Sequence, residues 1–291
     1  IPCYNHEQFV QEAIQSVIDQ DYTNIELLII DDGSKDSSVE KIEKLIAVCK
    51  QRFNRFEFKS RANKGISATL NEGVAWANGD FFTICASDDS FHRNKIKAQV
   101  DYFKLNKDSD FCYTGVYVYD DVGTVLEKIT QSTNNELHSK ISFDDIFTFK
   151  KHFPVSGAYR LKLIKDKLGG FDENLSAEDY DIYLKIFSHT PIGFIKEKLF
   201  YYRSPAAIGG SRRRYAMRID VSESHFKTIN KYRNHPSHRV AIAEWNFRRF
   251  IYFASYKKTK IYAVKGMFKS LKKMTDLRFL KAAVRLVFYW Q

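Results

Sequence analysis

Apolar residues at Phe9, Val10, Ala13, Ile14, Val17 and Ile18 recur at helical spacing and predict a helix with one buried face within residues 7–20. The period then changes. Residues 25–30 are apolar except for Glu26 and run into Asp31, Asp32 and Gly33. A run that is apolar on both faces predicts a strand buried in a parallel sheet. Helical spacing returns over 38–51 through Val39, Ile42, Leu45, Ile46 and Cys49, and residues 55–59 alternate as a short strand. A helix over 67–77, a turn at Asn78-Gly79-Asp80 and a strand over 81–86 follow, the strand leading into Asp88 and Asp89.

Alternation of strands and helices through this first part predicts an open α/β sheet with right-handed crossovers. Ligands in such sheets bind beyond the carboxyl ends of the strands. Asp31/Asp32 and Asp88/Asp89 each follow a predicted strand, so both acidic pairs are expected on one rim. Downstream the pattern is less regular: a helix over 96–105, strands over 111–118 and 192–203, and a helix over 178–187 with Ile182 and Ile186 on one face. Beyond about Tyr215 no strand pattern remains, which predicts helices only.

Composition narrows the class. A chain of 291 residues, 44% hydrophobic and 28% charged, is long enough for a sizeable core and is not disordered in character. No apolar stretch reaches the roughly 18 residues that a membrane span requires. The sequence opens at Ile1 with neither an initiator Met nor a signal-peptide pattern, which leaves targeting unjudged. Cys3, Cys49, Cys85 and Cys112 form no CxxC pair and read as buried free thiols of a reducing compartment. His235 and His238 follow a polar turn, belong to no HExxH motif and read as surface histidines. Net charge is +11, but residues 257–291 hold ten basic residues against Asp276 alone, 10 − 1 = +9, which leaves 11 − 9 = +2 for the rest.

The acidic pairs are the candidate chemistry. Asp88 and Asp89 fit either a polar turn or a metal and phosphate site. Carboxylates gathered on one rim repel one another unless a cation or a donor lies between them. A divalent ion held by one or two carboxylates and completed by substrate phosphates follows the Mg²⁺ or Mn²⁺ pattern. A rim Asp can also accept from the N3–H of uracil or thymine, a donor that cytosine lacks. Glu178 and Asp179 stand at a predicted helix start behind Ser176, where acids in the first turn also serve ordinary capping and dipole compensation.

Three blocks, IPCYNHEQFVQEAIQSVIDQDYTNIELLIIDDGSKDSS, NKGISATLNEGVAWANGDFFTICASDD and LGGFDENLSAEDYDIYLKI, together resemble the family 2 glycosyltransferases of GT-A fold, of the bacterial cell-surface polysaccharide type. The resemblance covers roughly residues 1–205. It implies a Rossmann-like open mixed sheet flanked by helices, with a GT-A catalytic domain over 1–210, divided into a nucleotide-sugar donor half (1–110) and an acceptor half (111–210). A basic helical region, 211–291, follows. By the same resemblance Pro2, Tyr4 and Asn5 match the first donor loop, Asp31 reads the base with Asp32 beside it, and Asn63, Lys64 and Gly65 line the nucleotide with Asn71 behind them. Asp88 lies near ribose or sugar, Asp89 is the metal ligand, and Asp179, in the pair with Glu178, is the catalytic base. Two positions depart from the family pattern: Ala86 stands where a further Asp is common, and Pro205 where many members have a His near the metal.

The implied activity is that of an inverting enzyme that moves a sugar from a UDP- or dTDP-sugar to a hydroxyl of a glycan or lipid-linked acceptor, with Mn²⁺ or Mg²⁺ as cofactor. A carboxylate-pair glycoside hydrolase is the alternative within enzymes. A basic nucleic-acid-binding protein, read from the pI near 9.3 and from Ser-Arg-Arg-Arg-Tyr at 211–215, is the alternative outside them. The latter leaves the acidic rim unexplained. Residues 277–291 set Arg278, Lys281 and Arg285 against Leu277, Leu280, Val284, Val287, Phe288 and Trp290. Such a helix lies on an anionic membrane or packs into a core or dimer. The resulting expectation is a cytoplasmic protein, peripheral on the inner face of the plasma membrane, with room for oligomers and no nucleic acid partner.

Overall fold

The computed structural model describes residues 1–138, 141–151, 156–204 and 217–289. These divide into two compact units, one of residues 1–138, 156–173 and 185–204, the other of 141–151, 174–184 and 217–289. Pro205 and the arginines of 211–215 lie outside the described residues.

In the first unit β1 (Pro2–Cys3), β2 (Glu26–Asp31) and β3 (Arg55–Ser60) form a parallel sheet in the order β1-β2-β3. Leu27, Leu28, Ile29 and Ile30 are buried on both faces of β2, as the unbroken apolar run requires. Helix α1 (Val10–Ile18) buries Val10, Ala13, Ile14 and Val17. The helix expected over 38–51 is two, α2 (Ser38–Glu43) and α3 (Ile46–Arg52). The Leu45 N–H turns back to the Ile42 carbonyl, three residues away, and this tighter turn breaks the helical register. Helix α4 (Ile66–Trp76) follows β3.

A second, five-stranded sheet has the order β4-β7-β6-β8-β5. Its strands are β4 (Phe81–Thr83), β5 (Ser90–Phe91), β6 (Phe111–Tyr119), β7 (Ala158–Arg160) and β8 (Ile192–Arg203). The strand expected over 81–86 is therefore shorter. β4 pairs antiparallel with β7, which offers only Ala158–Arg160, and the ladder ends at Thr83. Asp88 and Asp89 consequently stand in a turn just before β5 rather than at the end of a strand. The central pair β6 and β8 is parallel and brings Tyr119 beside Arg203. Helices α5 (Lys95–Leu105) and α6 (Glu127–His138) belong to this unit, and Cys3, Cys49, Cys85 and Cys112 are free and buried.

The second unit is helical, as the absence of strand pattern predicts. It contains α7 (Phe143–Phe147), α9 (Ile219–Lys231), α10 (His238–Phe253), α11 (Lys260–Lys269) and α12 (Leu277–Phe288). Residues 178–184 of α8 (Glu178–His189) also fall here. Phe247, Phe250, Phe253, Ala263, Phe279 and Ala282 make its core, with the Phe250 and Phe279 rings edge to face at 4.8 Å. Gly266 is required by close approach: a Cβ there would come within 2.5 Å of the Asn246 carbonyl oxygen on α10. No helix among the described residues is long and apolar enough to cross a membrane.

Candidate functional site

Asp31 ends β2 between Cys3 of β1 and Ser60 of β3. It is 1% exposed. Its Oδ2 accepts from the Gly33 N–H at 3.2 Å, the Ser34 N–H at 3.1 Å and the Ser60 hydroxyl at 3.2 Å. Its Oδ1 is buried and accepts no hydrogen bond among the described residues. Buried polar atoms normally find partners, which makes this oxygen a candidate acceptor for a donor from outside the chain.

Asp32 does something different. Its carboxylate accepts from the Arg61 guanidinium, from the Lys64 N–H at 2.7 Å and from the Gly65 N–H at 3.0 Å, while its carbonyl takes the Asn63 amide at 2.9 Å. The residues matched to the nucleotide loop are thus gathered by Asp32, whose oxygens are committed to shaping that loop. Gly33 permits the approach: its φ is +77°, and a Cβ would lie 2.8 Å from the Asn63 nitrogen. Asn5, at φ 53°, clips the first loop, donating its N–H to the Ser34 hydroxyl at 2.9 Å and accepting from the Lys35 N–H at 2.8 Å. Pro2 stands in β1, and Tyr4 is exposed beside it. Asn71 bonds Phe171 in both directions and Glu173, which ties α4 to the Gly-Gly-Phe-Asp-Glu stretch rather than to the nucleotide loop.

The Asp88-Asp89 turn closes with the Asp89 N–H on the Ala86 carbonyl at 3.0 Å. Arg203, at the end of β8, holds it from below. The Arg203 N–H donates to Asp89 Oδ1 at 2.8 Å, and its Nε donates to the Asp88 carbonyl at 2.8 Å. Nη1 reaches the Asp120 carbonyl at 2.8 Å, and Nη2 reaches Glu12 Oε2 at 2.6 Å and the Tyr119 hydroxyl at 2.9 Å. The guanidinium lies between the Phe9 and Tyr119 rings, 4.3 and 4.2 Å from their centroids. His6 joins this turn to the first loop: Nδ1 is 2.7 Å from the Ser87 hydroxyl and 4.0 Å from Asp88 Oδ1, and the His6 N–H donates to Ser38.

His6, Glu12, Arg61 and Arg203 were not singled out by the sequence pattern. Arg203 enters there only as the last residue of the strand over 192–203, and Glu12 lies on the polar side of an amphipathic helix, where nothing marks it. Asp88 and Asp89 share no cluster of three metal-binding side chains, and no such cluster occurs among the described residues. Two adjacent carboxylates, one oriented by a backbone N–H, fit a hard divalent ion that completes its shell with diphosphate oxygens and water. A cavity of about 480 Å³, lined by Leu28, Phe82 and Phe103 together with polar residues such as Glu26, Asn78 and Asp80, includes Pro2 but none of the matched acids.

Glu178 and Asp179 belong to the second unit. They open α8, where the helix dipole favours negative charge. Asp179 is exposed, and its Oδ1 accepts from the Tyr180 N–H at 2.7 Å. Burial, and then the neighbouring Asp179 charge, push the Glu178 carboxyl up to about 7. Beneath the pair, the Tyr180 ring stacks on Phe149 at 4.7 Å and its hydroxyl donates to the Phe147 carbonyl at 2.7 Å. Lys231 holds Asp181 at 2.6 Å. The first turn of α8 is therefore anchored while Asp179 remains accessible.

The family model described as Glycosyl transferase family 2 matches residues 1–161. An uncharacterized glycosyltransferase of Rickettsia conorii is 30% identical over 217 residues, 73% of this chain and 34% of that protein. Chondroitin synthase of Escherichia coli is 28% identical over 233 residues, 79% of this chain and 32% of the synthase. The chain spans about a third of the length of these two relatives. Among solved structures, S. aureus TarS 1-349 in complex with UDP-GlcNAc aligns over 98% of this chain and 86% of its own, with TM-score 0.68 and 18% identity. Mannosyltransferase PcManGT from Pyrobaculum calidifontis, in complex with GDP-Man and Mn2+, aligns over 99% and 85%, with TM-score 0.62 and 13% identity. At these identities the likeness establishes the fold, the GT-A arrangement that the sequence blocks imply.

Proposed function

Because the chain belongs to glycosyl transferase family 2, we propose that it transfers a sugar, with inversion, from a UDP- or dTDP-sugar to a hydroxyl of a glycan or lipid-linked acceptor. The observation that carries the donor class is Asp31 Oδ1, buried at the end of β2 and accepting no hydrogen bond among the described residues. Uracil and thymine present one N3–H to one acceptor. Guanine brings two adjacent donors, N1–H and the 2-amino group, suited to both oxygens of a carboxylate; here Oδ2 is already taken by Gly33, Ser34 and Ser60. The solved relatives hold UDP-GlcNAc in one case and GDP-Man in the other, and this chemistry favours the pyrimidine.

Each residue then has a task. Asp32 folds the loop of Asn63, Lys64 and Gly65 against the nucleotide, and Pro2, Tyr4 and Asn5 border it. Asp88 faces ribose or sugar, and Asp89 would hold Mn²⁺ or Mg²⁺, which when bound neutralises charge on the leaving diphosphate. Asp179 accepts the proton of the acceptor hydroxyl as its oxygen bonds to the anomeric carbon and the bond to diphosphate breaks. General-base assistance of this kind contributes about 10²- to 10⁴-fold in rate. Glu178, its carboxyl raised to about 7 by burial and by the neighbouring Asp179 charge, keeps a large neutral fraction near neutral pH and to that extent spares Asp179 a second adjacent charge. The reaction would take place on the cytoplasmic inner face of the plasma membrane.

The test is release of UDP from a panel of nucleotide sugars with Mn²⁺, with and without acceptor. Asp179→Asn is expected to bind donor as the parent does while turnover falls at least 10²-fold. Parent-like turnover in Asp179→Asn would remove that residue from the role, and acceptor-independent cleavage of oligosaccharides would favour a hydrolase.

A further inference from the structure

Helix α12 has two apolar sides, and only one is used by the fold. Phe279 and Ala282 are buried against the second unit's core, with Ala283 and Leu286 partly so. On the opposite side Leu277, Leu280, Val284, Val287 and Phe288 are all more than half exposed, Phe288 at 75%. Their spacing of three and four residues makes them one continuous outward stripe. Lys281 and Arg285, also exposed, follow Leu277 at intervals of four and flank that stripe along one edge. Helix α11 repeats the arrangement on a smaller scale: Ile261 and Phe268 point outward beside Lys265 and Lys269. The link between the two helices exposes Leu271, Lys272 and Met274.

We propose that the outward stripe of α12, with its flanking basic residues, is the surface by which the protein seats on an anionic lipid bilayer. This names the attachment surface for the membrane location given above, and rests on that location but not on the transfer chemistry. An exposed apolar patch of this extent marks an interaction site. Charge selects the occupant. Residues 257–291 carry ten basic residues and one acid, and that acid, Asp276, is held by Arg278 at 2.7 Å. A second copy docked on the same stripe would bring Lys281 and Arg285 against their own kind with no carboxylate on the stripe to answer them. An anionic headgroup layer accepts the basic edge while the acyl boundary accepts Leu280, Val284 and Val287. A polyanion such as RNA would satisfy the edge and leave the apolar stripe in water.

The experiment is co-sedimentation of the whole chain with vesicles of phosphatidylcholine alone and of phosphatidylcholine mixed with phosphatidylglycerol. Binding to the mixed vesicles at least tenfold above the neutral ones is expected, weakening with salt. Val284→Asp and Leu280→Asp should each reduce it tenfold or more, and the pair Lys281→Glu, Arg285→Glu should abolish the preference for anionic lipid. These side chains point away from the core, so far-UV circular dichroism, melting temperature and transfer to a water-soluble acceptor should stay at the parent's level, which separates loss of seating from loss of catalysis. Absence of binding to the mixed vesicles, or binding indifferent to all four substitutions, would overturn the proposal. So would a concentration-dependent dimer in sedimentation velocity that Val284→Asp dissolves, since the stripe would then belong to a second copy.

Discussion

A guanidinium as buried as that of Arg203, 1% exposed, is tolerated because Nε, Nη1 and Nη2 all reach oxygen. Its four partners, Glu12, Asp88, Tyr119 and Asp120, lie in three places along the chain, so one side chain fixes α1, the acidic turn and the end of β6 relative to one another. Lysine would keep the charge but lose the planar fork. Arg203→Lys is therefore expected to fold with a lower melting temperature, from about 1–3 kcal/mol for each carbonyl left without its donor, and to need several times more Mn²⁺ for half-maximal turnover. Parent-like Mn²⁺ dependence in a folded Arg203→Lys variant would reduce Arg203 to a structural residue. Asp31 and Asp32 divide their work in the same spirit: adjacent carboxylates, one closed by its own loop, the other left with one buried oxygen that accepts no hydrogen bond among the described residues.

At the level of elements, the start of α8 sets three acids, Glu178, Asp179 and Asp181, into one helical turn. Lys231 answers Asp181, and Glu178 responds to burial and to Asp179 with a carboxyl raised from 4.5 to about 7. The folded chain thus holds that proton more tightly than the unfolded chain, and ionisation weakens the fold as pH rises from about 4.5 through about 7. Glu178→Gln, which mimics the neutral acid, should raise the melting temperature at pH 8 and leave it near the parent's at pH 4. An equal change at both would show that the carboxyl is not perturbed.

How much of this was legible follows from what each element depends on. The helix around Val10 to Ile18 and the strand around Leu27 to Ile30 are written in local periodicity, and both form where the pattern places them. β4 was read three residues too long because a strand's length is set by its partner, and Ala158–Arg160 has no pattern of its own strong enough to announce it. Asp31 at the end of β2 could be foreseen from the run that precedes it. The division of labour between Asp31 and Asp32 could not, since it depends on Arg61 and on backbone donors of a loop thirty residues away in sequence. Arg203 is more distant still from Glu12 along the chain, and no periodicity links them.

For the molecule as a whole, family membership and the shared GT-A fold account for the matched blocks, while charge accounts for the remainder. Apart from residues 257–291 the chain carries +2 of its +11, so the basic character belongs to the terminal helices. The proposed function therefore turns on whether the acidic loops receive a nucleotide diphosphate and whether Asp31 Oδ1 accepts from its base. Calorimetric titration of UDP and CDP in the presence of Mn²⁺ measures this directly, because the two ligands differ in the N3–H donor and share the diphosphate. UDP is expected to bind about tenfold or more tightly than CDP, the worth of one hydrogen bond to a buried acceptor, with the difference lost in Asp31→Ala. Equal affinities for UDP and CDP in the parent, or no binding of either, would contradict the account.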